Sequence, residues 1–266
     1  MQPPDQISRL SNWYPTTKAI MGDRAPDTVI VETSLDFMPL MDGITVPGFD
    51  AFIADLDAAA ESLGGYPVFL RSDHMSGKHE KTPTGLPPCF VHSKKDLIGS
   101  VLQIYEFTEM ALWCSEGCDK WAVRKLLPSP AEVSGFFNLP IGPEWRFIVR
   151  DGVIAIDGCY WPKEAIRHPC WIDTRRELTP EEYITYYDRL LSPFAPGKYE
   201  ELIALSCQIA TALGGDWSVD WMQAADGEWY LIDMADADRS WIPGEHEPEL
   251  SEAEINELIS NIVTSS

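Results

Sequence analysis

The sequence predicts an α+β fold with antiparallel sheets, and two hairpins with the helices interleaved between them carry that prediction. Trp217-Ser218-Val219-Asp220-Trp221-Met222 and Glu228-Trp229-Tyr230-Leu231-Ile232-Asp233 flank Asp226-Gly227, and Glu144 to Arg150 and Val153 to Tyr160 flank Asp151-Gly152. Asp-Gly between apolar, β-rich runs marks a tight hairpin, because a type I′ turn needs positive φ at both central residues. Helices separate these hairpins, which places the chain among α+β proteins. At 266 residues it is long enough for one large domain or two small lobes with ample core.

The elements follow in order. The first 45 or so residues read as mixed, with Thr28-Val29-Ile30-Val31 a short strand. A helix is expected from about Phe49 to Leu63, carrying Phe52, Ile53, Leu56, Ala60 and Leu63 on one face and stopped by Gly64-Gly65. Tyr66 to Arg71 reads as a strand, Asp73 to Pro88 as a polar loop, and Cys89 to His92 as a second strand. Ser93 caps a helix expected to reach about Trp113. Trp121 to Leu127 is a further strand, punctuated by Pro128-Ser129-Pro130, the best candidate for a hinge between two lobes. Thr179-Pro180-Glu181-Glu182 opens a helix with a cap, a first-turn proline and acids at the positive end. Another helix runs from about Tyr199 to Leu213, and Ser251 caps a final one carrying Ile255, Leu258, Ile259 and Ile262.

The formal net charge is −22, from 42 acids against 20 bases. A field of that sign repels nucleic-acid backbones and suits a cationic substrate or a basic protein partner. No stretch approaches the roughly 20 apolar residues of a membrane span, and the N-terminal residues lack a basic, apolar leader, so a cytoplasmic protein is expected. The six cysteines show no C-x-x-C pair and read as free thiols in a reducing compartment.

Three constellations could carry chemistry. If Asp226-Gly227 is a two-residue turn, Ala225 pairs with Glu228 and Asp220 falls directly opposite Asp233. Two facing carboxylates sit roughly 5 Å apart and repel, so something positive is expected between them, most simply Mg2+. Asp236 and Asp238 lie just beyond, where another contact could come from; a solvated acidic turn is the alternative. In the second constellation a strand ends in Arg71, and the following loop offers Asp73, Ser76, Gly77 and Lys78. Glycine lets backbone N–H groups approach phosphate oxygens, and lysine is a point charge that can follow them. The same residues also make an ordinary surface turn, and the spacing is not a Walker A loop. Third, Glu144 and Arg146 share a strand face. Counting through Asp151-Gly152 sets Arg146 opposite Asp157, as a cross-strand ion pair or as an arginine aimed at a transferring phosphoryl group.

The order of these signals resembles the ATP-grasp family: a strand-borne arginine with a Ser-Gly-Lys loop, a strand-helix-strand, Glu-x-Arg on a hairpin, and two aspartates on a last hairpin. The resemblance covers roughly residues 25 to 245, and Pro26-Asp27-Thr28 is similar to a Pro-x-Thr that precedes the first lobe in many members. Phe69-Leu70-Arg71-Ser72-Asp73, Trp121-Ala122-Val123-Arg124-Lys125, Glu144 to Gly152 and Trp229 to Asp233 look closer to one divergent branch. That branch holds the cell-division-cycle family that helps assemble a translation initiation factor, and its bacterial and phage relatives.

The resemblance implies two α+β lobes closing over ATP and Mg2+. Residues 1–48 would pack on the grasp, 49–127 form the first lobe, 128–250 the second, and 251–266 a C-terminal helix. Arg71, Asp73, Ser76, Gly77 and Lys78 would meet phosphates, and Arg124, Lys125 and Leu126 would lie along the base. Arg146 would face the γ-phosphate, with Arg146 and Lys78 catalytic, and Asp220, Asp233 and Asp236 would hold Mg2+. The chain departs from the family at Asp233-Met234-Ala235, where an acid-x-Asn is usual. It departs again at Arg124-Lys125, where many members carry a carboxylate. Two functions follow from the likeness. One is a ligase joining a carboxylate to an amine, on a small-molecule or peptide acceptor. The other is an ATP-binding assembly chaperone without ligase turnover.

Overall fold

The computed structural model describes residues 8–78, 87–112, 118–131, 133–134, 139–162, 165 and 179–244. The expected C-terminal helix and residues 79–86 of the loop to Pro88 lie outside them, as do Cys114 and Cys170. Two antiparallel four-stranded sheets with helices make up the architecture, an α+β fold as the hairpin signals require. The first sheet has the order β1-β4-β2-β3, from Thr28–Glu32 (β1), Val68–Ser72 (β2), Phe90–Val91 (β3) and Lys120–Lys125 (β4). Two short strands, Val133–Ser134 (β5) and Pro140–Ile141 (β6), pair with each other. The second sheet has the order β10-β9-β7-β8, from Glu144–Arg150 (β7), Val153–Cys159 (β8), Trp217–Gln223 (β9) and Trp229–Asp236 (β10).

Each sheet buries one face. Leu70, Trp121 and Val123 pack under the helices Phe49–Ser62 (α2) and Leu97–Leu112 (α3), with Phe52, Leu56, Val101 and Ile104 between them. In the second sheet Phe147, Val149, Trp217, Val219, Trp221 and Leu231 face the helix Lys198–Leu213 (α5). Trp217 and Trp221 therefore lie on the face opposite Asp220, as strand alternation requires. The helix Pro180–Leu191 (α4) opens on a full capping box: the Glu182 N–H donates to Thr179 Oγ1 and the Thr179 N–H to Glu182 Oε2.

One helix was not expected from the sequence. Leu10–Met21 (α1) runs through Pro15 and buries Leu10, Trp13 and Tyr14 in the core of the second sheet, beside Leu202 and Ile209 of α5. Its start is satisfied from far along the chain: Asp73 Oδ1 accepts the Ser11 N–H at 2.6 Å and Asp73 Oδ2 accepts the Ser11 hydroxyl at 2.7 Å. A side chain 62 residues away performs the work of a local N-cap, so no local signal announces the helix.

The two hairpins differ in how they turn. Asp151 and Gly152 have φ of 50° and 75°, so that turn has the expected two residues. At the other hairpin the Ala224 N–H donates to Glu228 O at 2.9 Å, and the Gly227 N–H donates to Ala224 O at 2.9 Å. The loop is thus three residues long, with Gly227 left-handed at φ 84°. That shifts the register by one from Trp229↔Gln223 to Leu231↔Trp221, and a bulge at Ile232 shifts it back. Asp233 therefore pairs with Asp220, as expected, through two offsets that cancel.

Candidate functional site

A cleft continuous with solvent lies between the two sheets. Its first wall comes from one face of β2 and β4. Cross-strand partners share a face, so Phe69 stands beside Arg124 there, with Arg71 further along. The opposite wall is Glu144 from β7, Met222 from β9, and Ile232 and Asp233 from β10. The segment Lys125-Leu126-Leu127 closes one side, and Ser76 and Lys78 enter from the loop after β2.

Two cations of the first sheet reach the second. Arg71 Nη1 donates to Asp233 Oδ1 at 2.7 Å, and Arg124 Nη1 donates to the Ile232 carbonyl at 2.6 Å. The bulge makes the second bond available, because a residue left out of the ladder has a carbonyl to spare. Arg124 Nε donates to Thr28 Oγ1 at 3.2 Å, while its Nη2 is buried without a partner. Burial, followed by the neighbouring Arg71 charge, pushes the Arg124 guanidinium down to about 10. It still carries its charge at neutral pH.

Lys78 sits 4.4 Å from the centroid of the Tyr160 ring. Burial works against its charge, but Tyr160, Glu144 and Asp220 outweigh that and hold the ammonium above the ordinary lysine range. Burial pushes the Glu144 carboxyl up to about 7, with Lys78 opposing and Asp220 adding to the shift. Glu144 is thus a carboxyl that exchanges its proton near neutrality. Its alternation with Arg146 on one strand face was the available signal for it; Tyr160, Met222 and Ile232 had none.

Several expected residues play other parts. Asp73 does not face the cleft: it is 2 % exposed and is consumed by Ser11 and by Arg9, whose Nε donates to it at 2.7 Å. Arg146 does not face Asp157. A bulge opposite Ile148 and Val149 moves β8 by one, so Arg146 pairs with Gly158 and Asp157 with Phe147. On its other side Arg146 pairs with Asp220 and binds it through two bonds of 2.6 Å each, Nε to Oδ1 and Nη2 to Oδ2. Its Nη1 donates to the Trp241 carbonyl at 2.9 Å, and its guanidinium lies 4.9 Å from the Tyr160 ring centroid. A guanidinium so occupied has little freedom to follow a transferring phosphoryl group.

The aspartates expected to hold magnesium have other partners in this structure. Both Asp220 oxygens accept from Arg146, and Asp233 Oδ1 accepts from Arg71. Asp236 pairs with Trp217 on the core face of the sheet, and its Oδ1 accepts the Asp238 N–H at 2.9 Å. Among the described residues no three His, Cys, Asp or Glu side chains come together as a metal set. The positive charge expected between the facing aspartates is present as two arginines, Arg146 on Asp220 and Arg71 on Asp233. Of the expected site residues, the cleft is lined by Arg71, Ser76, Lys78, Arg124, Lys125, Leu126 and Asp233, and not by Asp73, Gly77, Arg146, Asp220 or Asp236.

No protein-family model matches the chain, and no curated protein does. Among solved structures it is similar to a RimK domain ATP-grasp protein from Sphaerobacter thermophilus, at 13% identity and a TM-score of 0.43, over 87% of this chain and 58% of that one. It is similar to the VanG D-Ala:D-Ser ligase of Enterococcus faecalis at 12% identity and a TM-score of 0.44, over 85% and 52% of the two chains. A third is N5-carboxyaminoimidazole synthetase of Staphylococcus aureus complexed with ADP, at 13% identity and a TM-score of 0.45, over 86% and 44%. The chain thus spans about half the length of these structures.

Proposed function

We propose that the cleft binds a nucleoside triphosphate and that the chain acts as a ligase of the ATP-grasp type. One observation carries this reading. In a chain of net charge −22, Arg71, Lys78 and Arg124 converge on one cleft whose remaining wall is largely apolar. Arg71 and Lys78 toward one end and apolar side chains such as Phe69 toward the other suit phosphates and a base respectively.

In this reading the base lies among Phe69, Leu126 and Ile232, and the phosphate chain runs toward Arg71 and Lys78. Arg71 would exchange its bond to Asp233 for a phosphate oxygen. The γ-phosphoryl group passes to a carboxylate oxygen of the donor as its bond to the β-phosphate breaks, releasing the diphosphate. An amine nitrogen then attacks the activated carbonyl carbon, the phosphate leaves, and the amine's proton passes to Glu144. Lys78 and Arg71 neutralise the charge on the transferring group. Asp233, once released by Arg71, would be the carboxylate to hold a magnesium ion brought by the triphosphate, and that ion would supply further neutralisation of phosphate charge. The acidic balance of the chain suits a cationic amine or a basic peptide as acceptor.

A second reading is nucleotide binding without turnover, as in an assembly protein. The engagement of Asp220 and Asp233 by arginines favours it, since such a site holds phosphates without activating them. A panel of carboxylate donors and amine acceptors, followed by diphosphate release, separates the two. Release that requires both a donor and an acceptor supports the ligase. Nucleotide binding with no release under any combination supports the second reading, and absence of nucleotide binding rejects both.

A further inference from the structure

Arg71 and Lys78 meet the cleft on different terms. Arg71 is bonded to the Asp233 carboxylate at 2.7 Å, a partner that a phosphate would have to displace. The Lys78 ammonium is set against a ring instead: Nζ lies 4.4 Å from the Tyr160 centroid, and no carboxylate among the described residues forms an ion pair with it. That ring is fixed from several sides. Tyr160 directly follows β8, and its N–H donates to the Glu144 carbonyl at 2.9 Å, so the β7–β8 pairing runs on to it. Trp161 and Trp241 meet the ring edge-on, with centroids at 5.2 and 6.2 Å. The Arg146 guanidinium, gripped by Asp220, lies 4.9 Å from the same centroid. On the lysine's side the backbone is equally confined. Gly77 is left-handed at φ 64°, and a Cβ there would lie 3.3 Å from Pro88 and 3.6 Å from Ile104.

Resting on the nucleotide reading above, we propose that Tyr160 is a positioning residue, whose ring holds Lys78 beside the cleft with its charge unneutralised and ready for a phosphate. A carboxylate in that place would cancel the charge and would have to be displaced, as Asp233 must be from Arg71. A ring attracts a cation through its quadrupole and carries no net charge, so a phosphate can join the ammonium without ejecting a partner. Lysine is otherwise a flexible four-carbon stem, and holding it in advance lowers the entropy lost when a ligand orders it. The contact also spans the cleft's two sides, since Lys78 comes from the loop after β2 and Tyr160 from the end of β8. A ring needed for packing alone has no use for two cations at 4.4 and 4.9 Å from its centre.

The test is calorimetric titration of the full chain with ATP, with Tyr160 replaced by phenylalanine and then by phenylalanines of increasing ring fluorination. A thermal melt first confirms that each variant folds. Fluorine nearly keeps the ring's shape and withdraws electron density from its face, so packing is retained while the attraction for a cation falls. Tyr160→Phe should bind ATP close to the unaltered chain, and affinity should then fall stepwise, by about 10-fold at the end of the series. In a Lys78→Met background, which keeps the stem and removes the charge, the same series should bind ATP alike. Affinity that stays flat along the series while ATP binds overturns the role of the ring and leaves the nucleotide reading standing. A fall of the same size in Lys78→Met also overturns it, since the ring would then act through Arg146 or through the fold. If the unaltered chain binds no ATP at millimolar concentration, the nucleotide reading falls and this role with it.

Discussion

Asp220 and Asp233 stand directly opposite one another on β9 and β10, and each is held by a different arginine. Asp220 is gripped within its own sheet by Arg146, while Asp233 is reached across the cleft by Arg71. The two carboxylates are therefore unequal. The Asp220 side chain is 4% exposed and that of Asp233 is 35% exposed. Removing one partner of a buried pair leaves an unmet charge and costs about 3–5 kcal/mol; without Asp233, Arg71, itself only 4% exposed, still donates to the Ser72 and His74 carbonyls, so a smaller loss is expected there. Asp220→Ala should accordingly lower stability far more than Asp233→Ala in denaturant melts. Equal losses would contradict this division.

Asp73 separates a structural role from a phosphate-binding one. Its carboxylate caps α1 and pairs with Arg9, so Asp73→Ala removes a helix cap and half of a buried ion pair. A loss of about 2–4 kcal/mol is expected in chemical denaturation, with nucleotide affinity unchanged in the folded fraction. A fall in affinity without loss of stability would return Asp73 to the cleft.

Glu144 should make stability depend on pH. Its carboxyl is pushed up to about 7 in the folded chain, above the roughly 4.3 of an unfolded glutamate. The folded state therefore holds the proton more tightly. The contribution is fully present below about pH 4.3 and is lost as pH rises through about 7. Glu144→Gln keeps the neutral shape and should gain on the unaltered chain in thermal melts as pH rises across that window. Parallel melting curves for the two across the window would show that Glu144 does not titrate as described.

Gly158 tests the segment that seats Arg146. A Cβ at this position would lie 2.7 Å from Pro243 Cβ, and the same segment supplies the Trp241 carbonyl that accepts from Arg146. Gly158→Ala must push that segment outward, at a cost of about 1–3 kcal/mol. Hydrogen exchange should quicken around residues 240–244, and an unchanged pattern there would mean the segment yields freely.

What was legible in the sequence follows the range of the forces involved. Local turn chemistry was legible: Asp151-Gly152 turns as its residue types require, and Thr179 to Glu182 form the expected capping box. The facing of Asp220 and Asp233 was read correctly, yet the loop before it is one residue longer than expected and the bulge at Ile232 restores the pairing. The bulge in β8 had no such compensation, so Arg146 was set against Asp157 instead of Gly158. Alternating Val, Ile and Ala reads alike on either side of a bulge, so local pattern cannot reveal it. The helix α1 was hidden for a related reason, because Pro15 argues against it and its cap arrives from Asp73. Cleft cations on strand ends were legible, and the side chains that answer them were not. Partners of buried charges are chosen by tertiary proximity.

The most direct test of the account is calorimetric titration of the full chain with a nucleoside triphosphate and with the matching nucleoside, beside Arg71→Ala and Lys78→Ala. The triphosphate should bind well and the nucleoside weakly. Each variant should lose on the order of 10-fold in triphosphate affinity while keeping nucleoside affinity, since a charge-assisted contact contributes roughly that much. Triphosphate binding indifferent to both substitutions, or no binding at all, would contradict the assignment of this cleft to phosphates.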